Sequence, residues 1–541
     1  MFKVIARIIK SLQKENPAGP SSVSLQGSKK SMAEKIPANI KDVKAKIRRE
    51  FDRCEDLVIR ALEIGENNFI TMLVVYIDGM VDKQILNSHV LRPLLIDART
   101  APLAKTADKR TIVNIIERNL LDNCEVLELT DYKQSVDKIL SGDTVLYIDG
   151  CDIALATCTK GFPLRNVEEP DTESNVRGPR EGFVESFRIN TSLIRKRIKS
   201  PALKIEEMTI GRQTNTKVGI VYVEGIADRN VVEEVKKRLF SIDIDGVLES
   251  GMLEELIMDS PLSPIPTIAN SEKPDKIAGK LLEGRVAIIT DGTPFVLTVP
   301  NLFIEAFQSN EDYYSLPFFS SFIRILRYAA FAISVYGPAL YVAMLGFHQS
   351  VIPFRLVATI AAARQGLPFD SFTEAFIMGI AFELLREAGV RMPKPVGQAV
   401  SIVGALVLGE ASIRAGIAGA PMVIITAITA ICGFILTPYY SFMPIARFFL
   451  LVSAQVLGLL GISLVTAAGL IHLCSLRSFG VPFMAPLAPL NLSDLKDTII
   501  RAPLWTMLKR PKTLTGIQEY QNRARMTPIQ SFEDYDENEH N

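Results

Sequence analysis

A long segment in the C-terminal half of the chain is almost free of charge, which limits what it can fold into. Residues 328–473 contain only twelve Asp, Glu, Lys and Arg side chains, whereas residues 1–316 read as ordinary charged, water-soluble sequence. About 20 apolar residues cross the hydrocarbon layer of a bilayer, so we predict a soluble module followed by an α-helical polytopic membrane domain (317–476). The predicted spans lie near 327–347, 398–417, 421–438 and 447–473.

Residues 356–389 are predicted to form a re-entrant or broken element instead of a simple span. The segment is interrupted by Gly366, Pro368 and Asp370 and carries five further charges. Irregular backbone at membrane depth is tolerated only where protein or water satisfies its polar groups. Two short helices joined at this break fit that requirement.

The stretch AFELLREAGVRMPKP, residues 381–395, concentrates charge within the apolar region. Charge in such a place is costly unless it has partners or water. Glu383, Arg386 and Glu387 are spaced i, i+3 and i+4, so they can pair along one helical face. Arg391 can reach interfacial water. We interpret these four residues as a charge cluster at the membrane boundary that positions the helix after it.

The span within residues 400–421 is suited to close helix contact because it combines several Gly and Ala residues. Glu410 and Arg414 lie four residues apart and therefore share one face. A structural ion pair that fixes helix packing and a pore-lining pair explain this spacing equally well. In the pore interpretation, Glu410 forms a ring that attracts cations, Ile413 is a constriction, and Arg414 and Ile417 line the same path.

The N-terminal module is expected to face the cytosol. No apolar h-region or small-residue cleavage site follows the start MFKVIARIIK, so we predict no signal peptide. The six cysteines show neither CxxC pairs nor metal-ligand spacing, which is typical of a reduced compartment. Arg324 and Arg327, before the first span, favour the cytosolic side by the positive-inside rule.

The sequence contains no recognisable catalytic pattern. P-loop, GxSxG and HExxH motifs are absent, and none of the four histidines has a companion at ligand spacing. We therefore expect no catalytic residue, no metal site, no cofactor and no nucleic-acid partner. A membrane enzyme is the weakest of the function classes considered.

An internal repeat organises the soluble module. VVYIDGMVDKQIL (74–86) aligns without gaps to IVYVEGIADRNVV (220–232), and KILSGDTVLYIDG (138–150) aligns to KLLEGRVAIITDG (280–292). Order and spacing are both kept, which favours a duplicated unit. Each unit reads as strand, helix, strand, Asp-Gly turn and strand, the turn being typical of a two-residue hairpin.

This pattern predicts an α/β soluble module of two duplicated small lobes. The predicted segments are a flexible leader and helix (1–65), the first lobe (66–158), a basic connection (159–211), the second lobe (212–316) and, after the membrane domain, a cytoplasmic tail (477–541).

The connection between the lobes is strongly basic, with Arg177, Arg180, Arg195 and Arg197 as its candidate docking residues. In one interpretation these residues dock to an acidic partner or to anionic lipid headgroups. In the other, nearby acidic residues support an ordinary solvated helix. The second interpretation explains each single residue slightly better.

Several blocks of the sequence resemble the A subunit of the GerA-type spore germination receptors. They are RGPREGF (177–183), DGTPF (291–295), EDYY (311–314), ALYVA (339–343) and ELLREAGVRMPKPVGQAVSIVGALVLG (383–409). The last block is the most specific. The related stage V sporulation protein AF shares the LREAG-type block and is the near alternative.

The resemblance implies a sensor of nutrient germinants in the inner membrane of dormant bacterial spores, a multi-pass protein with a cytoplasmic N-terminal module. It implies work with a transporter-like B subunit and a C-subunit lipoprotein, contact with membrane lipid, and self-assembly, expected as a pentamer, into a ligand-gated cation channel. The alternative is a non-conducting scaffold that recruits partners through its soluble lobes. The chain has Asp370 and Glu410 where the family usually has Pro and Gln. Because Glu410 adds a charge to a presumed pore-side helix, we expect selectivity or gating to differ.

Overall fold

The computed structural model consists of a soluble part built on two antiparallel sheets and a helical part that follows it. The described residues are 34–64, 70–96, 98, 109–116, 125–161, 173, 177–392, 404, 409–491, 494–507 and 509–515.

The first sheet has five strands, which are antiparallel to all their neighbours. They are β1 (Leu57–Ile64), β2 (Ile70–Ile77), β3 (Val126–Leu129), β4 (Thr144–Ile148) and β5 (Ala154–Thr157). Their order in the sheet is β1-β2-β4-β5-β3. β4 is buried along its whole length, which accounts for its continuous apolar run.

The second sheet repeats this arrangement. Its strands are β6 (Leu203–Ile210), β7 (Thr216–Val223), β8 (Ala269–Ser271), β9 (Val286–Thr290) and β10 (Val296–Val299). Their order is β6-β7-β9-β10-β8, again antiparallel throughout. The blocks that align in the sequence lie at equivalent places, the first pair on β2 and β7 and the second pair on β4 and β9.

Helices of equivalent position surround both sheets. The soluble part contains α1 (Ile40–Glu50), α2 (Lys83–Ile85), α3 (Arg92–Leu95), α4 (Lys109–Ile115), α5 (Tyr132–Leu140), α6 (Phe187–Arg197), α7 (Arg229–Phe240), α8 (Ser250–Ile257), α9 (Pro274–Leu282) and α10 (Glu311–Tyr314). A π-helix, Leu86–Leu91, joins α2 to α3. Asp82 and Asp228, at matching positions of the aligned blocks, are the N-caps of α2 and α7.

The Asp-Gly pairs follow β4 and β9 and hold the helix that opens each unit. Asp149 accepts a hydrogen bond from the backbone N–H of Ile40, and Asp291 accepts one from Phe187, both at 3.0 Å. Ile40 and Phe187 are the first residues of α1 and α6. The predicted hairpins are present, but their loops contain five residues. The expected two-residue turn is therefore wrong, because these aspartates bind a helix terminus.

Both sheets begin earlier in the chain than the predicted lobe boundaries of 66 and 212. β1 and β6 lie before these boundaries, and each pairs along its full length with the next strand. α6 occupies the predicted basic connection, and its residues Phe187 and Ile194 are buried in the core of the second lobe. Charged residues within β1 and β6 hide the strand pattern, which is why the sequence alone places these segments outside the lobes.

The helical part contains six α-helices whose two ends both lie within the described residues. They are α11 (Pro317–Gly346), α12 (Phe354–Arg364), α13 (Ser371–Arg391), α14 (Ala420–Phe434), α15 (Phe442–Leu457) and α16 (Leu459–Ser475). By length and composition, α11 is the one helix in the described part of the chain that could cross a membrane, while α14, α15 and α16 are apolar but shorter.

The predicted spans differ from these helices in their bounds, since α11 begins at Pro317 and not near residue 327, and in one division. Residues 447–473, predicted as one span, are divided at Gly458, whose φ of 59° ends α15 and begins α16. A glycine adopts this left-handed backbone without the steric cost that a side chain adds. Half of the predicted span 398–417 lies outside the described residues, and residues 409–414 within it are helical.

Glu254 on α8 gives the second lobe a stability that depends on pH. Burial raises the pKa of its carboxyl from 4.5 to about 7, and the charge of Glu249 adds to the shift. The folded lobe therefore favours the protonated carboxyl over the ionised one. The contribution of Glu254 to the free energy of unfolding is fully present below pH 4.5, the ordinary pKa, and is lost as the pH rises through about 7.

We predict that Glu254→Gln removes this pH dependence. Since one pKa unit corresponds to about 1.4 kcal/mol and the side chain is partly exposed, we expect α8 of the native protein to open about 1–2 kcal/mol more easily at high pH than at low pH. Hydrogen–deuterium exchange of α8 in the full chain, corrected for intrinsic exchange rates, measures this opening. Glu255→Gln, at an exposed neighbour, is the matched control. A pH dependence that persists in Glu254→Gln contradicts the assignment.

Candidate functional site

The helical part is broken between α12 and α13, where the sequence predicts a discontinuity. Gly366 adopts a φ of 87°. Asp370 then caps α13 by accepting from the backbone N–H of Thr373 at 3.2 Å. Its second carboxylate oxygen accepts from Nε2 of Gln455 on α15 at 3.1 Å. The break is therefore anchored to a neighbouring helix.

Glu374 is a buried carboxylate that joins three segments around this break. Its Oε1 accepts from Arg364 Nη2 of α12 at 3.1 Å, and its Oε2 accepts from the backbone N–H of Gly419 at 3.1 Å. Gly419 is the N-cap of α14, so the carboxylate also lies at the positive end of a helix dipole. In the sequence Glu374 is recognisable only as one of the charges in an apolar segment, because its partners are distant in the chain.

The four charges predicted at the membrane boundary lie near the C-terminus of α13 and form two ion pairs. Glu383 pairs with Arg386 at 2.6 Å, and Glu387 pairs with Arg391 at 2.6 Å. The first pair is half-buried, and Glu383 also lies 3.5 Å from Arg447 of α15. The second pair is exposed. The structure thus brings the four residues together in neighbouring turns of one helix.

The four predicted pore residues lie on the surface of the described chain. Residues 409–414 are helical, which places Glu410, Ile413 and Arg414 on one face by their i, i+3 and i+4 spacing. Glu410 and Arg414 form an ion pair and are more than half exposed. Ile413 and Ile417 are exposed apolar side chains. This face is available for contact with another protein chain, lipid or water.

Arg195, predicted as a docking residue, is fully buried, so that interpretation is wrong for this residue. Its guanidinium donates to both carboxylate oxygens of Asp56, at 2.9 and 3.0 Å. It also donates to the backbone carbonyls of Ser200 and Leu203, both at 3.1 Å. Asp56 directly precedes the first sheet, so this bidentate pair ties the two sheets together.

The other three docking candidates lie closer to the surface. The partly exposed Arg197 forms an ion pair with Glu181 at 2.9 Å. Arg177 and Arg180 are exposed. The basic stretch is therefore divided between structural ion pairs and a short exposed arm.

A buried ionic cluster joins the soluble part, α11 and the C-terminal segment. Arg324 has no exposed side-chain surface, and it lies 3.1 Å from Asp312 of α10 and 2.8 Å from Asp497. Arg327 binds the same Asp312 at 2.8 Å. The hydroxyl of Tyr313 donates to Asp497 at 2.5 Å. Both arginines are therefore neutralised by acidic partners and are not the exposed basic flank that the sequence suggests.

A short hairpin attaches the end of α16 to the second lobe. Its strands are β11 (Arg477–Ser478) and β12 (Val481–Pro482), and the turn residues Phe479 and Gly480 have φ of 48° and 86°. Positive φ at both positions is the signature of a type I′ turn.

The side chain of Phe479 is buried in the core of the second lobe. The Arg238 guanidinium lies 4.3 Å from the centre of the Phe479 ring. The backbone N–H of Phe479 donates to the Asp259 carboxylate at 2.7 Å. The hydroxyl of Ser478 donates to the Thr267 carbonyl at 2.6 Å. The segment that the sequence presents as the start of a polar tail is thus anchored in the lobe.

Comparison with known proteins gives matches over most of the chain. The sequence profile of the Bacillus/Clostridium GerA spore germination protein matches residues 45–513. Spore germination protein KA of Bacillus subtilis (strain 168) is 44% identical over 478 residues, covering 87% of this chain and 86% of the relative. The uncharacterized membrane protein YfkQ of the same strain is 42% identical over 480 residues, covering 88% and 92%.

Among solved structures, the N-terminal domain of the A subunit of the Bacillus megaterium spore germinant receptor GerK3 is 35% identical, covering 50% of this chain and 98% of that chain with a TM-score of 0.40. The sequence matches with the relatives span both the sheets and the helical part. The resemblance read from the sequence is thereby confirmed, and the chain belongs to the GerA spore germination protein family.

Proposed function

We propose that this protein is the A subunit of a nutrient germinant receptor in the inner membrane of bacterial spores. Membership of the GerA family supports this function more than any other observation. The two-sheet module lies in the cytoplasm, and α11 together with the shorter apolar helices forms a multi-pass membrane domain. The subunit acts with a transporter-like B subunit and a C-subunit lipoprotein, and it has no catalytic chemistry of its own.

We further propose that several copies, expected as a pentamer, assemble around a path for monovalent cations. The exposed face that carries Glu410, Ile413 and Arg414 supports this assembly, because an apolar and ionic face of this kind is costly in lipid unless it meets water or another copy. A ring of Glu410 attracts cations, and Ile413 forms the constriction. Ile417 continues the same lining.

The pore assignment predicts opposite effects for two substitutions. Glu410→Gln removes the attracting charge and is expected to lower cation conductance several-fold, while Ile413→Ala widens the constriction and is expected to raise the flux measured without germinant. The receptor, reconstituted in vesicles with its B and C subunits, is assayed for potassium release. Ile428→Ala on α14 is the matched control, because Ile428 and Ile413 are 46% and 43% exposed. Unchanged conductance and gating in both variants would reject the pore assignment.

The alternative of a non-conducting scaffold receives less support from the structure. Its docking surface depends on the basic stretch, and Arg195 is buried against Asp56. A scaffold predicts that the assembled receptor releases ions only through another subunit, so both substitutions above would leave the flux unchanged.

A further inference from the structure

Exposed aromatic side chains appear on α11 well before residue 327, where the sequence places the start of its membrane span. Phe318 is 83% exposed, and Phe319 and Phe322 are also exposed. All three precede Arg324. A contiguous apolar surface of this kind indicates an interaction site.

Exposed apolar side chains recur on this side of the helix, although Gly337, between two of them, packs close to Thr429 of α14. Phe319, Leu326, Ile333 and Leu340 are spaced seven residues apart, and all are exposed. Residues at this spacing stay on nearly one face, with a drift of about 20° per heptad. At 1.5 Å per residue this stripe is about 32 Å long, which is close to the roughly 30 Å hydrocarbon thickness of a bilayer.

The polar residues of the same turns face the opposite way. Ser320 and Arg324 are buried, and the Ser320 hydroxyl donates to the Asp312 carbonyl at 2.8 Å. Arg327 is held by the Asp312 carboxylate. The two arginines therefore impose no charge on the outward stripe, and their position in the sequence does not mark the edge of the apolar surface.

The C-terminal segment also reaches the start of α11 and carries exposed apolar side chains. The backbone N–H of Arg501 donates to the Ser321 hydroxyl at 3.1 Å, which places the segment beside the start of α11. Its Ile499, Ile500 and Leu504 side chains are exposed.

We propose that the lipid-contacting surface of α11 begins at Phe318, with Phe318, Phe319 and Phe322 at the boundary between headgroups and acyl chains. The ionic cluster around Arg324 is then sealed behind these rings at the level of the membrane surface. Phospholipid is the occupant because the exposed rings lie on the helix that is long and apolar enough to span a bilayer, and exposed apolar side chains recur along that helix. This inference rests on the proposed membrane function and adds the depth at which the chain enters lipid.

Tryptophan fluorescence tests the depth directly, because the chain has one tryptophan, Trp505. In a Trp505→Phe background, Phe318→Trp reports the proposed boundary and Ile333→Trp reports the bilayer interior. Phe240→Trp is the matched control, since Phe240 is 72% exposed on the second lobe. The full-length protein is reconstituted in vesicles of phosphatidylethanolamine and phosphatidylglycerol with bromine near either the carbonyl or the methyl end of the acyl chains.

We expect Phe318→Trp to lose about half of its fluorescence to bromine near the carbonyl end, as for an indole at the interface. We expect Ile333→Trp to respond more to bromine near the methyl end and Phe240→Trp to respond to neither. Phe319→Trp repeats the boundary measurement with an independent substitution.

Two other outcomes have separate meanings. Quenching of Ile333→Trp without quenching of the Phe318 and Phe319 variants overturns this inference and leaves the membrane placement intact, as when a second protein chain covers the rings. Absence of quenching in all variants rejects the membrane placement as well.

Discussion

Arg324→Met is expected to destabilise the full chain by about 3–5 kcal/mol, the usual cost of removing one partner of a buried ion pair. Arg324 has no exposed side-chain surface and contacts both Asp312 and Asp497. Asp312 keeps Arg327 as a partner, but Asp497 loses its ion-pair contact with the helix. We therefore expect the C-terminal segment to separate from α11.

Unfolding in detergent and the rate of proteolysis within residues 494–507 measure this effect. Arg391→Met is the matched control, because it removes an exposed i, i+4 pair with Glu387, and such pairs contribute about 0–1 kcal/mol. Similar small losses in both variants would show that the cluster around Arg324 does not hold the segment.

Several contacts attach the second lobe to the helices, and this ionic cluster is one of them. A second is aromatic: Phe303 stacks on Tyr439 with ring centres 5.4 Å apart, and the Tyr439 hydroxyl donates to the Phe303 carbonyl at 2.8 Å. A third is the hairpin that carries Phe479. These attachments involve α11, the segment before α15 and the end of α16.

The repeated fold is largely readable from the sequence, because its signals are local. The apolar blocks before the Asp-Gly pairs form β2, β7, β4 and β9, and their equal order in the chain becomes an equal strand order. β1 and β6 escape detection because each carries charged residues on both faces, which breaks the alternation of apolar and polar positions. The role of Asp149 and Asp291 in binding a helix start also escapes, since each contact spans more than a hundred residues.

The contacts of the candidate site also fall into local ones, which the sequence predicts, and ones between distant residues, which it does not. Pairs at helical spacing, such as Glu410 with Arg414 and Glu383 with Arg386, follow from the sequence because helix geometry fixes their distance. Glu374 with Gly419 and Arg195 with Asp56 depend on tertiary packing, so spacing carries no information about them. A charged residue in an apolar or basic run is thus recognisable, whereas its partner is not.

Phe479→Ala is expected to release the hairpin between α16 and the second lobe. Truncation of a buried Phe costs about 3–5 kcal/mol. In addition, the left-handed backbone at φ 48° is unfavourable by roughly 1–2 kcal/mol for a residue with a side chain. Burial of the ring against Arg238 offsets this cost in the native protein. Without the ring, the turn has little to hold its conformation.

Hydrogen–deuterium exchange of residues 476–487 and of α7 measures the release in the full chain. Phe240→Ala is the matched control, because it removes an exposed Phe from the same lobe.

Phe479→Gly separates the two contributions: it relieves the backbone strain but lacks the ring, so we expect the hairpin to leave the lobe and yet keep its turn. In spores that carry Phe479→Ala, the germinant response is expected to slow several-fold while receptor assembly persists. Native protection of the hairpin in Phe479→Ala would show that the backbone contacts to Asp259 and Thr267 suffice to couple α16 to the lobe.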